Sequence, residues 1–235
     1  ELKQGRIQLS DMVPISEKAW SMEGSRMFVD VNSQVPVDEL LKGIIIQSGN
    51  DSSVAIAEYV AGSEEAFADL MNHFAEILGM SNSHFVNATG LPHPDHLTTA
   101  RDVAILVRAL IDEFPDEYAI YSEKEYTYNN IRQSNRNLLL WRDPNVDGVK
   151  TGHTQSAGYC LAASAERDNM RLISVIMGTE SEKARAEYSQ SLLNYGFRFF
   201  ESVQLYQPQD ALATRKIWKG AVPEVSLGVA DTWHL

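Results

Sequence analysis

Apolar residues recur at helical spacing through the first half of the chain. The pattern predicts four helices in this half. They run from Asp38, the expected cap, to about Gln47; from a cap at Asn50 or Asp51 to Gly62; from Ser63 to Gly79; and from Ala100, capped by Thr98 or Thr99, to Phe114. The predicted core face of the third helix comprises Phe67, Leu70, Met71, Phe74, Ile77 and Leu78.

The pattern changes to β-structure after residue 146. Three strands are predicted, at about 146–152, 158–165 and 170–178, followed by a helix from about Ser181 to Phe200. The connectors between the strands are short, and a parallel crossover needs a dozen or more residues, so neighbouring strands must be antiparallel. The first and third strands then run in the same direction and end at the same edge of the sheet. We therefore expect an α+β fold with an antiparallel sheet flanked by helices.

Three further segments lack a clear period. The stretch Met22–Val31 reads as a loop over a site or a hairpin, and residues 125–141 read as strand and loop. The tail after Val203 is punctuated by proline and glycine and has short apolar runs. We expect residues 1–202 to form one domain with a helical subdomain, and residues 203–235 to begin a small β-rich domain.

Composition narrows the function classes. The formal net charge of −12 makes nucleic acid an unexpected partner, because the average field repels a polyanion. A single cysteine, Cys160, excludes an internal disulfide. The polar loop at His93–His96 is typical of a surface loop, so we predict neither a metal nor a cofactor. The chain starts in what reads as the end of a helix and stops abruptly, so we expect it to be a piece of a longer protein.

Two tripeptides carry the chemistry: Ser48-Gly49-Asn50, at a turn between predicted helices, and Lys150-Thr151-Gly152, at the end of a predicted strand. They are two of the three elements of a serine-acyltransferase pattern. The third element, Ser-x-x-Lys, does not occur in these 235 residues. Arg185 lies in the first turns of the last predicted helix, which begins just beyond the sheet edge. We expect it to reach back toward Lys150, so that two cations and a hydroxyl converge on a carboxylate.

The wider sequence resembles a known family. The stretches "IIIQSGNDSSVAIAEYVAGSEEAFADLMN", "NVDGVKTGHTQSAGYCLAASA" and "LLNYGFRFFE" closely resemble low-molecular-mass penicillin-binding proteins, the serine D-alanyl-D-alanine carboxypeptidases. The resemblance implies a transpeptidase-like fold. It also implies that the nucleophilic serine lies upstream of Glu1, and that this chain alone is inactive.

The resemblance further implies a reaction and a set of roles. The terminal D-alanine of the peptidoglycan stem pentapeptide would leave through an acyl-serine intermediate, which penicillins would also form. Ser48 resembles the hydroxyl that relays a proton to the leaving nitrogen, and Asn50 the amide that binds the acyl group. Lys150, Thr151 and Arg185 would bind the substrate carboxylate. Gly152 would let the substrate lie along the strand, and His153 would shape the site.

Simpler interpretations stand beside these roles. Ser48 and Asn50 also suit helix caps, Lys150 also suits a solvated strand edge, and Arg185 also suits a surface pair with Glu182 or Glu187. Two other functions stay open: a class A β-lactamase-like hydrolase, and a non-catalytic peptidoglycan- or penicillin-binding module. The resemblance places the full-length protein in the periplasm, held on the inner membrane by a C-terminal segment beyond this sequence.

Overall fold

The computed structural model describes residues 1–208, 210–230 and 233–234. Its α-helices are, in chain order, α1 (Glu17–Trp20), α2 (Val37–Lys42), α3 (Asn50–Ala61), α4 (Glu64–Leu78), α5 (Ala100–Glu113), α6 (Pro115–Tyr118), α7 (Leu139–Arg142) and α8 (Glu182–Phe199). Its strands are β1 (Met12–Pro14), β2 (Gln34–Pro36), β3 (Glu125–Tyr128), β4 (Ile131–Ser134), β5 (Val146–Thr154), β6 (Gly158–Arg167), β7 (Met170–Thr179), β8 (Gln204–Tyr206), β9 (Ala213–Lys216), β10 (Glu224–Leu227) and β11 (Trp233–His234). A π-helical turn occupies Gly43–Gln47 and a 3-10 turn Ala119–Ser122.

The largest sheet has the order β5-β6-β7, and both pairs are antiparallel, as the short connectors predicted. Strand β5 is an edge strand, and its Lys150 lies opposite Ala162 of β6. Helix α8 buries Leu193 against Leu161 on one face of the sheet. Helix α5 packs on the other face, where small side chains such as Ala162 let it approach closely. The predicted α+β class, a sheet flanked by helices, is confirmed.

A second core holds the helical part together. It joins the β1–β2 pair to α2 and α3 through fully buried residues such as Val13, Leu40 and Val54. The single helix predicted from Asp38 is wrong in two respects: it begins at Val37, and it changes from α to π geometry at Gly43. A β-carbon added to Gly43 would lie 2.4 Å from the sulfur of Met27, so the altered turn fits against a neighbouring loop.

Side-chain caps occur where a free hydroxyl precedes a helix. Ser63, Thr99 and Ser181 each accept a hydrogen bond from the backbone N–H three residues later. The prediction that Asn50 or Asp51 caps α3 is wrong. Gly49 occupies that position with no side-chain cap, because both polar side chains are engaged elsewhere.

Helix α4 is where the sequence predicted, but its burial differs. Ala68 and Ala75 are buried, whereas Phe74 and Ile77 of the predicted core face are 47% and 63% exposed. Other members of that face, including Met71, line an open apolar groove of about 340 Å³. Periodicity identifies an apolar stripe, but it does not say whether a neighbouring element covers it.

The structure also shows the conformation of the two segments for which the sequence left alternatives open. Residues 125–141 form the β3–β4 hairpin followed by α7, and the stretch Met22–Val31 is a loop rather than a hairpin. In the tail, β9 pairs with β10 and β8 pairs with β11. A separate domain from residue 203 stays a prediction. Among the described residues, no helix is long and apolar enough to cross a membrane.

Candidate active site

A cleft of about 710 Å³ separates the edge of the sheet from the helical part. It is lined by the turn after the π-helix, the end of β5, the first turn of α8, and two loops at residues 24–28 and 88–91. All seven predicted site residues line it. These are Ser48, Asn50, Lys150, Thr151, Gly152, His153 and Arg185.

The Ser48 backbone adopts the left-handed conformation, with φ 62° and ψ 40°. The tight reversal is closed by a hydrogen bond of 2.9 Å from the Gly49 N–H to the Gly43 carbonyl. Gly49 itself has an ordinary φ of −63°, so glycine is needed there for space. A β-carbon at Gly49 would lie 2.7 Å from Ser52 Oγ and 3.2 Å from the Met27 nitrogen. The turn therefore presents Ser48 to the cleft as the C-cap of one helix rather than the N-cap of the next.

Lys150 reaches across the cleft to this turn. Its Nζ donates a hydrogen bond to Ser48 Oγ and another, of 3.0 Å, to the Thr151 carbonyl. Burial lowers the pKa of Lys150 to about 7, and the nearby guanidinium groups of Arg136 and Arg185 add to the shift. An amine with this pKa exchanges its proton readily near neutral pH. The solvated edge lysine is excluded by these contacts.

Arg185 is 2% exposed and belongs to the cleft rather than to the outer surface of α8. Its Nη1 donates to the Gly152 carbonyl at 3.3 Å, whereas Nη2 is buried without a hydrogen-bond partner among the described residues. Glu182 lies 3.8 Å away and is largely exposed, so it compensates little of the charge. A buried guanidinium with a free donor suits an anionic ligand.

Two aromatic contacts fix the far side of the cleft. His153 stacks on Tyr159 with ring centroids 3.9 Å apart, and the guanidinium of Arg185 lies 5.6 Å from the Tyr159 ring centre. Thr151, two residues before His153 on β5, also lines the cleft and is 9% exposed. The end of β5 thus offers a hydroxyl, a cation and an open main-chain edge within one small region.

Asn50 has a structural contact as well as a place in the cleft. Its Nδ2 donates to the Glu23 carbonyl at 2.7 Å, and its backbone N–H donates to the Ser25 carbonyl at 2.8 Å. These bonds hold the loop of residues 23–29, here called the strap, which forms one wall of the cleft. Asn50 Oδ1 has no partner among the described residues.

Arg136 is a cleft residue that the sequence reasoning missed. It follows β4 in the asparagine-rich segment, and its Nη1 donates to Ser25 Oγ at 2.8 Å. No motif includes it, and an arginine after a hairpin is usually solvated, so nothing in the sequence places it in a site. Only the hairpin's position against the strap brings its charge close enough to lower the pKa of Lys150.

The chain is similar in sequence to a family of known proteins. The family model described as D-alanyl-D-alanine carboxypeptidase matches residues 1–181. The chain is 48% identical over 237 residues to D-alanyl-D-alanine carboxypeptidase DacC of Escherichia coli, covering 98% of the chain and 59% of that protein. It is 44% identical over 232 residues to DacA of Haemophilus influenzae, covering 97% of the chain and 59% of that protein. It thus spans about 60% of the length of these relatives.

Two solved structures with a similar fold are penicillin-binding proteins. Penicillin-binding protein 5 from Haemophilus influenzae superposes with a TM-score of 0.93 at 43% identity, over 100% of this chain and 70% of that one. Penicillin-binding protein 6B from Escherichia coli gives 0.83 at 42% identity, over 87% of this chain and 67% of that one. The resemblance seen in the sequence is confirmed: this chain belongs to the D-alanyl-D-alanine carboxypeptidase family, Peptidase S11.

Proposed function

We propose that the protein removes the terminal D-alanine from peptidoglycan stem pentapeptides through an acyl-serine intermediate, and that penicillins acylate it. The contact of Lys150 with Ser48, inside a cleft rich in cations, carries the proposal. Family membership supports the reaction class. The 235 residues contain no Ser-x-x-Lys, so the acylated serine is assigned to no residue of this sequence.

Lys150 and Ser48 form the proton path in this proposal. A peptide nitrogen leaves only when it is protonated as the tetrahedral intermediate collapses. The Ser48 hydroxyl gives it that proton and recovers one from Lys150, whose pKa of about 7 suits both directions of transfer. The left-handed backbone at Ser48 holds the hydroxyl toward the lysine. Asn50 supplies amide groups to the acyl part of the substrate.

The carboxylate of the departing D-alanine lies against Arg185, Lys150 and the Thr151 hydroxyl. The substrate backbone pairs with the free edge of β5 as an added strand, and Gly152 leaves room for it because no side chain projects there. His153, stacked on Tyr159, closes the end of this path. Cations and hydroxyls thus meet the negative end of the substrate, while the proton donor meets the bond that breaks.

We also propose the setting of this activity. Peptidoglycan and β-lactams lie outside the cytoplasmic membrane, which places the intact protein in the periplasm at the inner membrane. Anchoring is assigned to a C-terminal segment beyond this sequence. Residues 203–235 then begin a β-rich domain between the catalytic domain and that segment. The acidic net charge of −12 suits no nucleic-acid partner.

The test uses the intact protein and fluorescent penicillin. Lys150→Ala should lower the acylation rate by about 100-fold or more, because it removes both a proton-transfer group and a cation. The matched control is Lys183→Ala, an exposed lysine of α8 that pairs with Glu187 outside the cleft. Equal labelling of the two variants would remove Lys150 from the site.

Ser48→Ala separates the relay from binding. Release of D-alanine from a pentapeptide should fall much more than the affinity for it, since Ser48 acts on the leaving nitrogen. Normal turnover would reduce Ser48 to a turn residue. Rapid hydrolysis of penicillin without any release of D-alanine from peptides would instead favour a β-lactamase-like enzyme.

A further inference from the structure

The strap is held by a buried carboxylate. Asp51, which is 1% exposed, accepts backbone N–H bonds from three consecutive residues: Met27 at 3.0 Å, Phe28 at 2.9 Å and Val29 at 3.3 Å. Bonds to a charged acceptor are stronger than neutral ones, and three from one segment define its path. The strap is therefore a preorganised wall rather than a loose loop.

Other elements hold the rest of the strap. Gln133 of β4 donates to the Met27 carbonyl at 3.2 Å, and Asn50 holds the carbonyls of Glu23 and Ser25. Arg26 is in the middle of this segment and lines the cleft. The residues on both sides of Arg26 are held by hydrogen bonds, so the position of its α-carbon is fixed.

Arg26 carries a charge that the protein does not neutralise. No carboxylate among the described residues forms a salt bridge with it. Its guanidinium instead lies 5.5 Å from the ring centre of Phe28, which is 44% exposed and has a left-handed φ of 71°. Stacking on an aromatic ring orders the guanidinium and leaves its edge donors free.

The cleft has more positive charge than one carboxylate requires. Lys150 and Arg185 account for the terminal carboxylate on the sheet side. Arg26 and Arg136 add two cations, and Arg136 bonds to Ser25 of the strap. The acidic residue that lines the cleft, among the described residues, is Glu182. In a protein of net charge −12, this local excess points to a ligand with a second negative group.

We propose that Arg26 determines specificity by binding a second carboxylate of the substrate, on a side chain that precedes the D-alanyl-D-alanine end. This rests on the proposed function. A peptide added along β5 points alternate side chains to opposite sides, so one of them faces the strap across the cleft. Arg26 contacts substrate far from the breaking bond. It therefore lowers KM for dicarboxylate peptides more than it raises kcat.

The experiment compares two substrates that differ by one charge. They are acetyl-L-2-aminopimelyl-D-Ala-D-Ala and its side-chain amide. Both side chains have the same length and are long and flexible, so the two peptides differ in charge and not in how far the side chain extends toward Arg26. In the intact protein, Arg26→Gln should lower kcat/KM for the free acid about 10-fold, chiefly through KM, as expected for loss of a charge-assisted contact. The amide should change less than about twofold. Arg26→Lys should recover part of the difference because it keeps the charge.

Arg132→Gln is the matched control, since Arg132 is an exposed arginine paired with Glu125 of the neighbouring strand and does not line the cleft. It should leave both peptides unaffected. An equal loss on acid and amide in Arg26→Gln, or no loss on either, overturns the role of Arg26 while the carboxypeptidase activity stands. Release of D-alanine from neither peptide by the unmodified protein overturns the proposed function itself.

Discussion

Ser48 has a left-handed backbone, and its hydroxyl accepts a hydrogen bond from Lys150. A left-handed backbone costs a residue other than glycine about 1 kcal/mol or more, and the surrounding turn must supply that energy. The hydrogen bonds of Ser48 and Gly49 back to the π-helical turn do so. The result is a hydroxyl held at one point, in contact with Lys150.

The ionisation of Lys150 gives a prediction for binding. Its pKa is lowered to about 7, so it is charged below this pH and neutral above it. We expect the affinity for an uncleavable D-alanyl-D-alanine peptide with a free carboxylate to fall by about 10-fold as the pH rises from 6 to 9. The fall should then level off, since Arg185 keeps its charge. Isothermal titration calorimetry at several pH values measures it.

Two comparisons identify the group responsible. The same peptide with a terminal amide should show no such step, because it has no anion for Lys150 to attract. Arg136→Gln removes one of the cations that lower the pKa of Lys150, so the step should move to higher pH. A flat profile for the free acid between pH 6 and 9 would contradict the assignment.

At the scale of elements, α8 positions Arg185 through its first turn. The Ser181 hydroxyl accepts from the Ala184 N–H at 3.0 Å, and the Arg185 N–H bonds to the Ser181 carbonyl at 3.1 Å. Arg185 is 2% exposed, so its guanidinium is held in a buried position beside the cleft. The cap therefore supports both the helix and the placement of one site cation.

Ser181→Ala should lower the free energy of unfolding by about 1 kcal/mol and also weaken the binding of carboxylate peptides severalfold. Thr99→Ala is the comparison, because Thr99 caps α5 in the same way, and the first turn of α5 does not line the cleft. It should cost similar stability with unchanged affinity. Urea unfolding and calorimetry give the two numbers, and parallel losses of affinity in both variants would argue against a specific role of the cap.

At the scale of the molecule, the cleft lies between parts with separate cores. Lys150 belongs to the sheet, whereas Ser48 and the strap belong to the helical part. A ligand that touches both walls adds contacts between them and binds only the folded protein. Ligand binding should thus raise the stability of the whole fold.

We expect an uncleavable D-alanyl-D-alanine peptide at about 100 times its Kd to stabilise the intact protein by about 2.7 kcal/mol, seen as a rise in Tm. At the same peptide concentration, Arg185→Gln should lose most of this increment because it removes the buried cation. Arg132→Gln should keep it. An increment that survives in Arg185→Gln would mean that the peptide binds elsewhere.

The sequence predicted the elements that depend on local pattern. Short connectors between strands 146–152, 158–165 and 170–178 left only antiparallel pairing, and apolar spacing identified the long helices. The two tripeptides marked both sides of the site. Family membership followed from the same residues, because stretches of this length rarely match by chance.

Only the tertiary structure decided which groups a side chain contacts, how far it is buried and which charges lie near it. Asp51 has the sequence position of a cap, yet its carboxylate holds the strap. It accepts hydrogen bonds from the backbone N–H groups of residues 27–29. Phe74 has the spacing of a core residue and is half exposed. Arg136 and Arg26 look like solvated arginines until the hairpin and the strap bring them to the cleft. Local pattern predicts where most helices and strands lie, but burial and charge environment depend on neighbours that are distant in sequence.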